Sequence, residues 1–230
     1  MIRHPADRVI SHHGMKVRHG QTDTRETSFI QAMRKSTFAP NIELRFLAPK
    51  EIPDRLTDEE VNYYVQSVID ECNFIGIYER LYESLVVLSM LIGAQPQDVL
   101  FDFLPSTNTR CGELKRPDWV TNRMARFLSQ GEWYHRERGD FVLYDAINRS
   151  LDMTIEKLGP EKVKAKLDEF LKLIYVGTSY AYNVKHQEGC GIPNSHENKQ
   201  PYEDMDKLKW FDQLPIEDQE FVKRVTNQSN

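Results

Sequence analysis

Residues 57–93, TDEEVNYYVQSVIDECNFIGIYERLYESLVVLSMLIG, carry the strongest indication of the fold. Thr57 and, three residues later, Glu60 form a capping-box pattern, after which apolar side chains recur at helical spacing. The compact apolar run at 73–78 is typical of a buried strand, and helical periodicity then returns until Gly93. A helix, a strand and a helix joined by short connections favour an α/β layer arrangement.

The rest of the chain predicts many helices and few strands. Residues 98–104 alternate well enough for a second strand, and Met1 and Ile2 have the character of the last step of a strand. We therefore predict a helix-rich α/β fold with a small parallel sheet that is incomplete at its N-terminal edge. Gly14 is expected to end or weaken the first helix, and residues 40–53 are expected to form a loop. The predicted helices cover residues 6–17, 28–38, 57–72, 79–93, 117–128, 141–158, 160–179 and 215–225.

Length and composition narrow the classes of function. The 230 residues fit one domain with a sizeable core, and we predict a main domain at 1–182 with a loop-rich extension of it at 183–230. The net charge of −5 argues against a nucleic-acid surface, which needs clustered Lys and Arg. No stretch reaches the roughly 18 apolar residues of a membrane span, and the N-terminus lacks the apolar region of a signal peptide. Cysteine and histidine spacings predict no metal site.

The opening run at 3–11, RHPADRVIS, is the first candidate site. A strand end that leads through Pro5 into a helix places backbone N–H groups and a cationic side chain at the helix N-terminus, where phosphate is favoured. Arg3 and Arg8 can each supply a guanidinium fork, and Ser11 a hydroxyl, to such an anion. The alternative is a plain helix start with an exposed arginine and a local ion pair of Asp7.

This run resembles the 3′-phosphate-binding segment of sulfotransferases that use 3′-phosphoadenosine 5′-phosphosulfate (PAPS). Arg3 and Ser11 match the two phosphate-contacting positions of that segment, and Arg8 is a weaker candidate. Two later stretches, 73–101 and 143–163, are similar in the same order to Golgi carbohydrate sulfotransferases, especially the galactose 3-O-sulfotransferase group.

The resemblance implies a P-loop nucleotide-binding type of fold and sulfuryl transfer from PAPS to a sugar hydroxyl of a glycan or glycolipid. It implies the Golgi lumen as the location, with membrane attachment only through an anchor that this chain does not contain. The glycine-containing loop for the 5′-phosphosulfate and the catalytic base of the family would lie before Met1, so residues 1–182 correspond to a partial sulfotransferase domain. We therefore assign no catalytic residue and expect this chain to be inactive or nearly so.

Further residues gain a role from the same resemblance. Tyr78 lies where a predicted strand meets a helix and is a candidate for stacking on adenine, although a half-buried packing residue is equally compatible with the pattern. Cys111 and Cys190 are candidates for a luminal disulfide, and sequons begin at Asn148 and Asn227.

Two other functions remain open. One is a non-catalytic glycan-binding or partner-binding domain derived from the same fold. The other, minor one is a histidine phosphatase, because residues 18–22, RHGQT, resemble the signature of that family and would make His19 the phosphorylated nucleophile. In that family a strongly apolar strand precedes the histidine, whereas here polar residues precede it.

Overall fold

A computed structural model describes residues 1–35, 40–95, 98, 109–110, 113–114, 117–185 and 216–227. The chain forms two compact units. The first contains the described residues of Met1–Ser84 and Arg116–Lys157, and the second contains those of Leu85–Lys115 and Leu158–Asn230.

Helices make up most of the described structure. In chain order they are α1 (Pro5–Arg18), α2 (Glu26–Arg34), α3 (Ile42–Leu47), α4 (Asp58–Glu71), α5 (Leu81–Ile92), α6 (Asn122–Gln130), α7 (Glu132–Arg136), α8 (Arg138–Leu158), α9 (Pro160–Lys185) and α10 (Ile216–Asn227). A 3₁₀ turn at Tyr78–Arg80 precedes α5. The strands β1 (Thr109–Arg110) and β2 (Glu113–Leu114) form a two-residue antiparallel pair.

The prediction of an α/β fold of the P-loop type with a parallel sheet is wrong, because no parallel sheet exists among the described residues. The apolar run at 73–78 makes a single parallel bridge, in which Ile2 donates to the Gly76 carbonyl (2.9 Å) and its carbonyl accepts from Tyr78 (2.8 Å). On the other side of the run, the Ser84 hydroxyl accepts from the Ile77 amide (3.0 Å) and donates to the Ile77 carbonyl (3.3 Å).

Ser84 thus satisfies the backbone groups that a further strand would otherwise pair. Ile2 and Ile77 are buried, so the apolar character of the run reflects burial without a sheet. Apart from Asp98, the second predicted strand at 98–104 lies outside the described residues.

Local helix signals were more reliable than the strand signals. The capping box before α4 is confirmed: the Glu60 amide donates to Thr57 Oγ1 (3.2 Å), and the Thr57 amide donates to Glu60 Oε2 (2.8 Å). Gly14 does not end the first helix, which continues to Arg18. The stretch predicted as a loop at 40–53 contains α3.

A hydrophobic core lies within the first unit. It draws on α1, α2, α6, α7 and α8, and α6 packs against α1, α2 and α7. Its buried members are Ala6, Ile10, Phe29, Met33, Met124, Leu128, Trp133 and Phe141.

The second unit contains the long helix α9 and the helix α10. Lys172 of α9 lies 4.3 Å from the ring centroid of Phe221 on α10 and 3.9 Å from the carboxylate of Asp218. Within the part of the chain that the structure describes, none of the helices combines the length and the apolar character of a membrane span.

Candidate functional site

The start of α1 is fixed by backbone hydrogen bonds to carboxylates of two other segments. The Arg3 amide donates to Glu43 Oε1 (3.3 Å), and the His4 amide donates to Glu79 Oε1 (3.1 Å). His4 is the N-cap residue and its side chain caps no amide of the helix, while Pro5 occupies the first turn. The N-terminal end of α1 therefore lies beside two acidic side chains.

The Arg3 guanidinium lies between an aromatic ring and a carboxylate. Its Cζ is 5.0 Å from the ring centroid of Tyr78, and its Nε is 3.6 Å from Glu79 Oε1, too far for a hydrogen bond. Arg3 Nε is buried and has no hydrogen-bond partner among the described residues, although 24% of the side chain is exposed. A buried N–H donor without an acceptor is costly, so this group favours an added acceptor.

Glu79 is shared by several groups around Arg3. Besides the His4 amide, its carboxylate accepts a hydrogen bond from the Tyr144 hydroxyl (3.3 Å). Burial and the neighbouring carboxylate of Glu79 raise the pKa of Tyr144 well above its ordinary value, so the phenol stays protonated and acts as a donor. We call Arg3, Tyr78, Glu79 and Tyr144 the Arg3 cluster.

Arg8 is already occupied by protein carboxylates. Its Nη2 donates to Asp140 Oδ2 (2.7 Å), and its Nη1 lies 3.0 Å from Glu43 Oε2. Burial alone would lower the pKa of Arg8, but the charges of Asp140 and Glu43 raise it above the ordinary value. Arg8, which the sequence suggested as a weaker phosphate ligand, therefore neutralises carboxylates of the protein itself.

Asp140 completes this second group of charges, which with Arg8 and Glu43 we call the Arg8 cluster. Asp140 is fully buried, and its carboxylate also accepts from the amides of Glu43 (3.3 Å) and Leu44 (2.9 Å) at the start of α3. Burial and the charge of Asp140 raise the pKa of Glu43, against the opposing effect of Arg8. Three segments distant in sequence thus meet at one carboxylate.

The two clusters together contain more acid than base. Two guanidinium groups face the carboxylates of Glu43, Glu79 and Asp140, which leaves one excess negative charge when all are ionised. A phosphate beside Arg3 must therefore overcome repulsion, chiefly from Glu79 at 3.6 Å from Arg3 Nε.

Ser11 lies in the body of α1 and is half-buried. It is six residues after Pro5, a rise of about 9 Å along a helix axis. No described hydrogen bond joins Ser11 to the Arg3 cluster. The structure brings together Arg3 and Tyr78, whereas Ser11 lies within α1, which begins two residues after Arg3.

Other predicted sites have different surroundings. His19 is exposed and directly follows α1, so a helix, not the apolar strand of histidine phosphatases, precedes it. Asn148 of the first sequon lies within α8, where its carboxamide oxygen accepts from Arg80 (2.8 Å). Cys111 and Cys190 lie outside the described residues. The described residues include no cluster of three His, Cys, Asp or Glu that could hold a metal ion.

No pattern in the sequence places Glu43 and Asp140 beside the start of α1. They are 97 residues apart, and neither belongs to a sequence motif that would link it to the other. The one available signal was the uncapped, proline-led start of α1, whose amides and arginines need acceptors.

Comparison of the chain with protein-family models, with curated proteins and with solved structures finds no significant match.

Proposed function

We propose that this chain serves PAPS-dependent sulfuryl transfer to a sugar hydroxyl by holding the 3′-phosphate of the nucleotide at Arg3. Three stretches that resemble Golgi carbohydrate sulfotransferases in the same order support the proposal, and the first of them is the run at 3–11. The proposal places the chain in the Golgi lumen with a glycan or glycolipid as acceptor, and it leaves the catalytic base unassigned.

The observation that carries the proposal is the state of the Arg3 side chain. Its Nε is buried without a hydrogen-bond partner among the described residues, and Arg3 stands two residues before the start of the 14-residue helix α1. Both features favour a bound anion, since the donor gains an acceptor and the helix dipole favours negative charge there. The Arg3 Cζ lies over the Tyr78 ring, 5.0 Å from its centroid, so this ring helps to hold the guanidinium in place for the proposed anion.

In this reaction the acceptor hydroxyl displaces the nucleotide in line at sulfur, and a base takes the hydroxyl proton. The contribution of this chain is positional. A phosphate held at Arg3 fixes the nucleotide, and a fixed donor lowers the entropic part of the barrier. Arg8 has no part in this step, because its guanidinium is paired with Asp140 and Glu43.

Isothermal titration calorimetry with 3′,5′-ADP and with PAPS tests the proposal. Arg3→Ala is expected to weaken binding by about tenfold or more, because it removes the charge-assisted contact. Ser11→Ala is expected to weaken it less. Arg55→Ala is the matched control, because Arg55 is exposed in the first unit, outside both clusters, and its loss should leave binding unchanged.

Glu79→Gln sharpens the test. The amide keeps one oxygen, which can accept from the His4 amide as Glu79 Oε1 does, while its NH2 group replaces Glu79 Oε2 and can donate to the Tyr144 hydroxyl oxygen. The substitution removes the negative charge closest to Arg3. We expect 3′,5′-ADP to bind about fivefold more tightly to this variant. Equal affinities for wild type, Arg3→Ala and Arg55→Ala would reject the role of Arg3.

The excess negative charge of the two clusters favours a second candidate, a non-catalytic glycan-binding or partner-binding domain. A domain of this kind needs no nucleotide, so the acidic surroundings of Arg3 would not matter to it. A folded chain that binds a glycan but neither 3′,5′-ADP nor PAPS would support this candidate over the first.

A further inference from the structure

An open groove of 350 Å³ lies between α2 and α6 in the first unit, away from the Arg3 and Arg8 clusters. Gly131, at the junction of α6 and α7, is one of its lining residues. Three of the other lining residues are arginines, and none of the described lining residues is acidic. These residues are Ile30, Arg34, Arg123, Arg126, Phe127 and Gln130.

The three arginines differ in how they are paired. Arg34 pairs with Glu132, and Arg123 pairs with Glu26 (3.2 Å). Both arginines are mostly exposed, and ion pairs at such sites contribute little to stability, so a bound anion can replace the carboxylate at small cost. Arg126 is exposed and has no ion pair within the described part of the chain.

The groove also offers an aromatic face and an amide. The guanidinium of Arg34 lies 5.9 Å from the ring centroid of Phe127, which is half-buried against the core. Gln130 adds a carboxamide that can both donate and accept hydrogen bonds. Guanidinium forks bind carboxylate and sulfate in a bidentate manner, while an aromatic ring suits the C–H face of a sugar.

We infer that this groove, the arginine groove, binds an acidic saccharide, with carboxylate or sulfate groups on the arginines and a sugar ring against Phe127. A nucleic acid is a poorer fit, because the chain carries a net charge of −5, whereas binding to a nucleic-acid backbone depends on clustered Lys and Arg. The inference deepens the proposed function and rests on it for one point, that the saccharide is the acceptor. Binding itself requires no nucleotide.

Calorimetry with a chondroitin sulfate tetrasaccharide tests the inference, with the neutral, fully N-acetylated tetraacetylchitotetraose as the matched ligand. We expect the sulfated sugar to bind and the neutral one to bind at least about tenfold more weakly. Arg126→Ala is expected to weaken binding of the sulfated sugar by about tenfold, whereas Arg55→Ala is expected to leave it unchanged. Both arginines are exposed, so neither substitution should disturb folding.

Two results would overturn the inference. One is an equal loss of affinity in Arg126→Ala and Arg55→Ala, which would mean that general charge attracts the sugar. The other is binding of a poly-aspartate peptide or of single-stranded DNA as tight as that of the sulfated sugar, which would mean that the groove selects polyanions of any kind.

The same variants separate this inference from the proposed function. Arg126→Ala should bind 3′,5′-ADP as the wild type does, and Arg3→Ala should bind the sulfated sugar as the wild type does. Loss of one ligand therefore reports on one site only.

Discussion

Asp140 is the residue that joins α1, α3 and α8. Its buried carboxylate accepts from the Arg8 guanidinium and from two amides at the start of α3. A buried ion pair of this kind adds little net stability over an apolar substitute, yet breaking one side of it costs about 3–5 kcal/mol. The network therefore selects one arrangement of the three helix segments, and Arg8 serves that arrangement.

Glu43 makes the stability of the first unit depend on pH. Burial raises its pKa in the folded protein above the ordinary value of 4.5, so the folded state binds more protons than the unfolded state above that pH. The free energy of unfolding contributed by Glu43 therefore falls as pH rises from 4.5 through its folded pKa. Each unit of pKa difference corresponds to about 1.4 kcal/mol.

Glu43→Gln removes this dependence, so the stability of the variant relative to wild type should increase between pH 4.5 and pH 7.5. Urea unfolding at the two pH values measures the difference. A relative stability that decreases with pH would mean that the ion pair with Arg8 outweighs burial at Glu43.

At the scale of elements, Gly131 permits the tight junction between α6 and α7. A Cβ atom at this position would lie 2.8 Å from the Phe127 carbonyl oxygen and 3.2 Å from the Phe127 Cα. Both are backbone atoms, which cannot move aside without distorting α6. Gly131 is thus required by the close approach, since its φ of −90° is open to any residue.

Gly131→Ala is therefore expected to lower the free energy of unfolding by about 1–3 kcal/mol. Gly14→Ala is the matched control, because Gly14 lies inside α1. Outside that helix, the described atom nearest to a Cβ there would be Trp119 Cζ2 at 3.6 Å, an ordinary contact. The control should raise stability by up to about 1 kcal/mol through helix propensity. Urea denaturation of both variants measures these changes. An unchanged free energy of unfolding in Gly131→Ala would show that the junction between α6 and α7 is not tight.

Elements could be predicted where the signal was local. The cap at Thr57 and the start at Pro160 mark their helices within a few residues of sequence. The run at 73–78 was misassigned because an apolar run indicates burial, while a strand requires a partner. Here the Ser84 hydroxyl, and not a neighbouring strand, takes the hydrogen bonds of the Ile77 amide and carbonyl. Nothing in the sequence of the run reveals this.

For the molecule as a whole, long-range pairing limited what the sequence could predict. Arg3 was singled out from the run at 3–11, and the structure places it beside the start of α1 next to Tyr78. Arg8 pairs with the carboxylates of Glu43 and Asp140, which come from segments far along the chain. The residues next to Arg8 in sequence therefore do not reveal whether its guanidinium is paired. The prediction of the fold class was wrong for the same reason, because a sheet forms by pairing between strands that are far apart in sequence.

The division into two units gives a prediction for the whole chain. Arg3 belongs to the first unit, while α9, from Pro160, and α10 belong to the second. A ligand that binds only the folded form, at a concentration of 100 times its Kd, stabilises that form by about 2.7 kcal/mol. Hydrogen exchange that requires unfolding of the unit then becomes about 100-fold slower. With 3′,5′-ADP we therefore expect slower exchange in α1 and α8, and unchanged exchange in α9.

Hydrogen exchange followed by mass spectrometry measures this, with Arg3→Ala as the control. Because its affinity is expected to be about tenfold weaker, the same concentration of 3′,5′-ADP should slow its exchange about tenfold less than that of wild type. Equal slowing in α9 would mean that the two units unfold as one cooperative structure, since stabilising one would then stabilise both. Absence of slowing throughout wild type at saturating 3′,5′-ADP would count against nucleotide binding at Arg3. The distribution of protection along the chain thus tests both the site and the independence of the units.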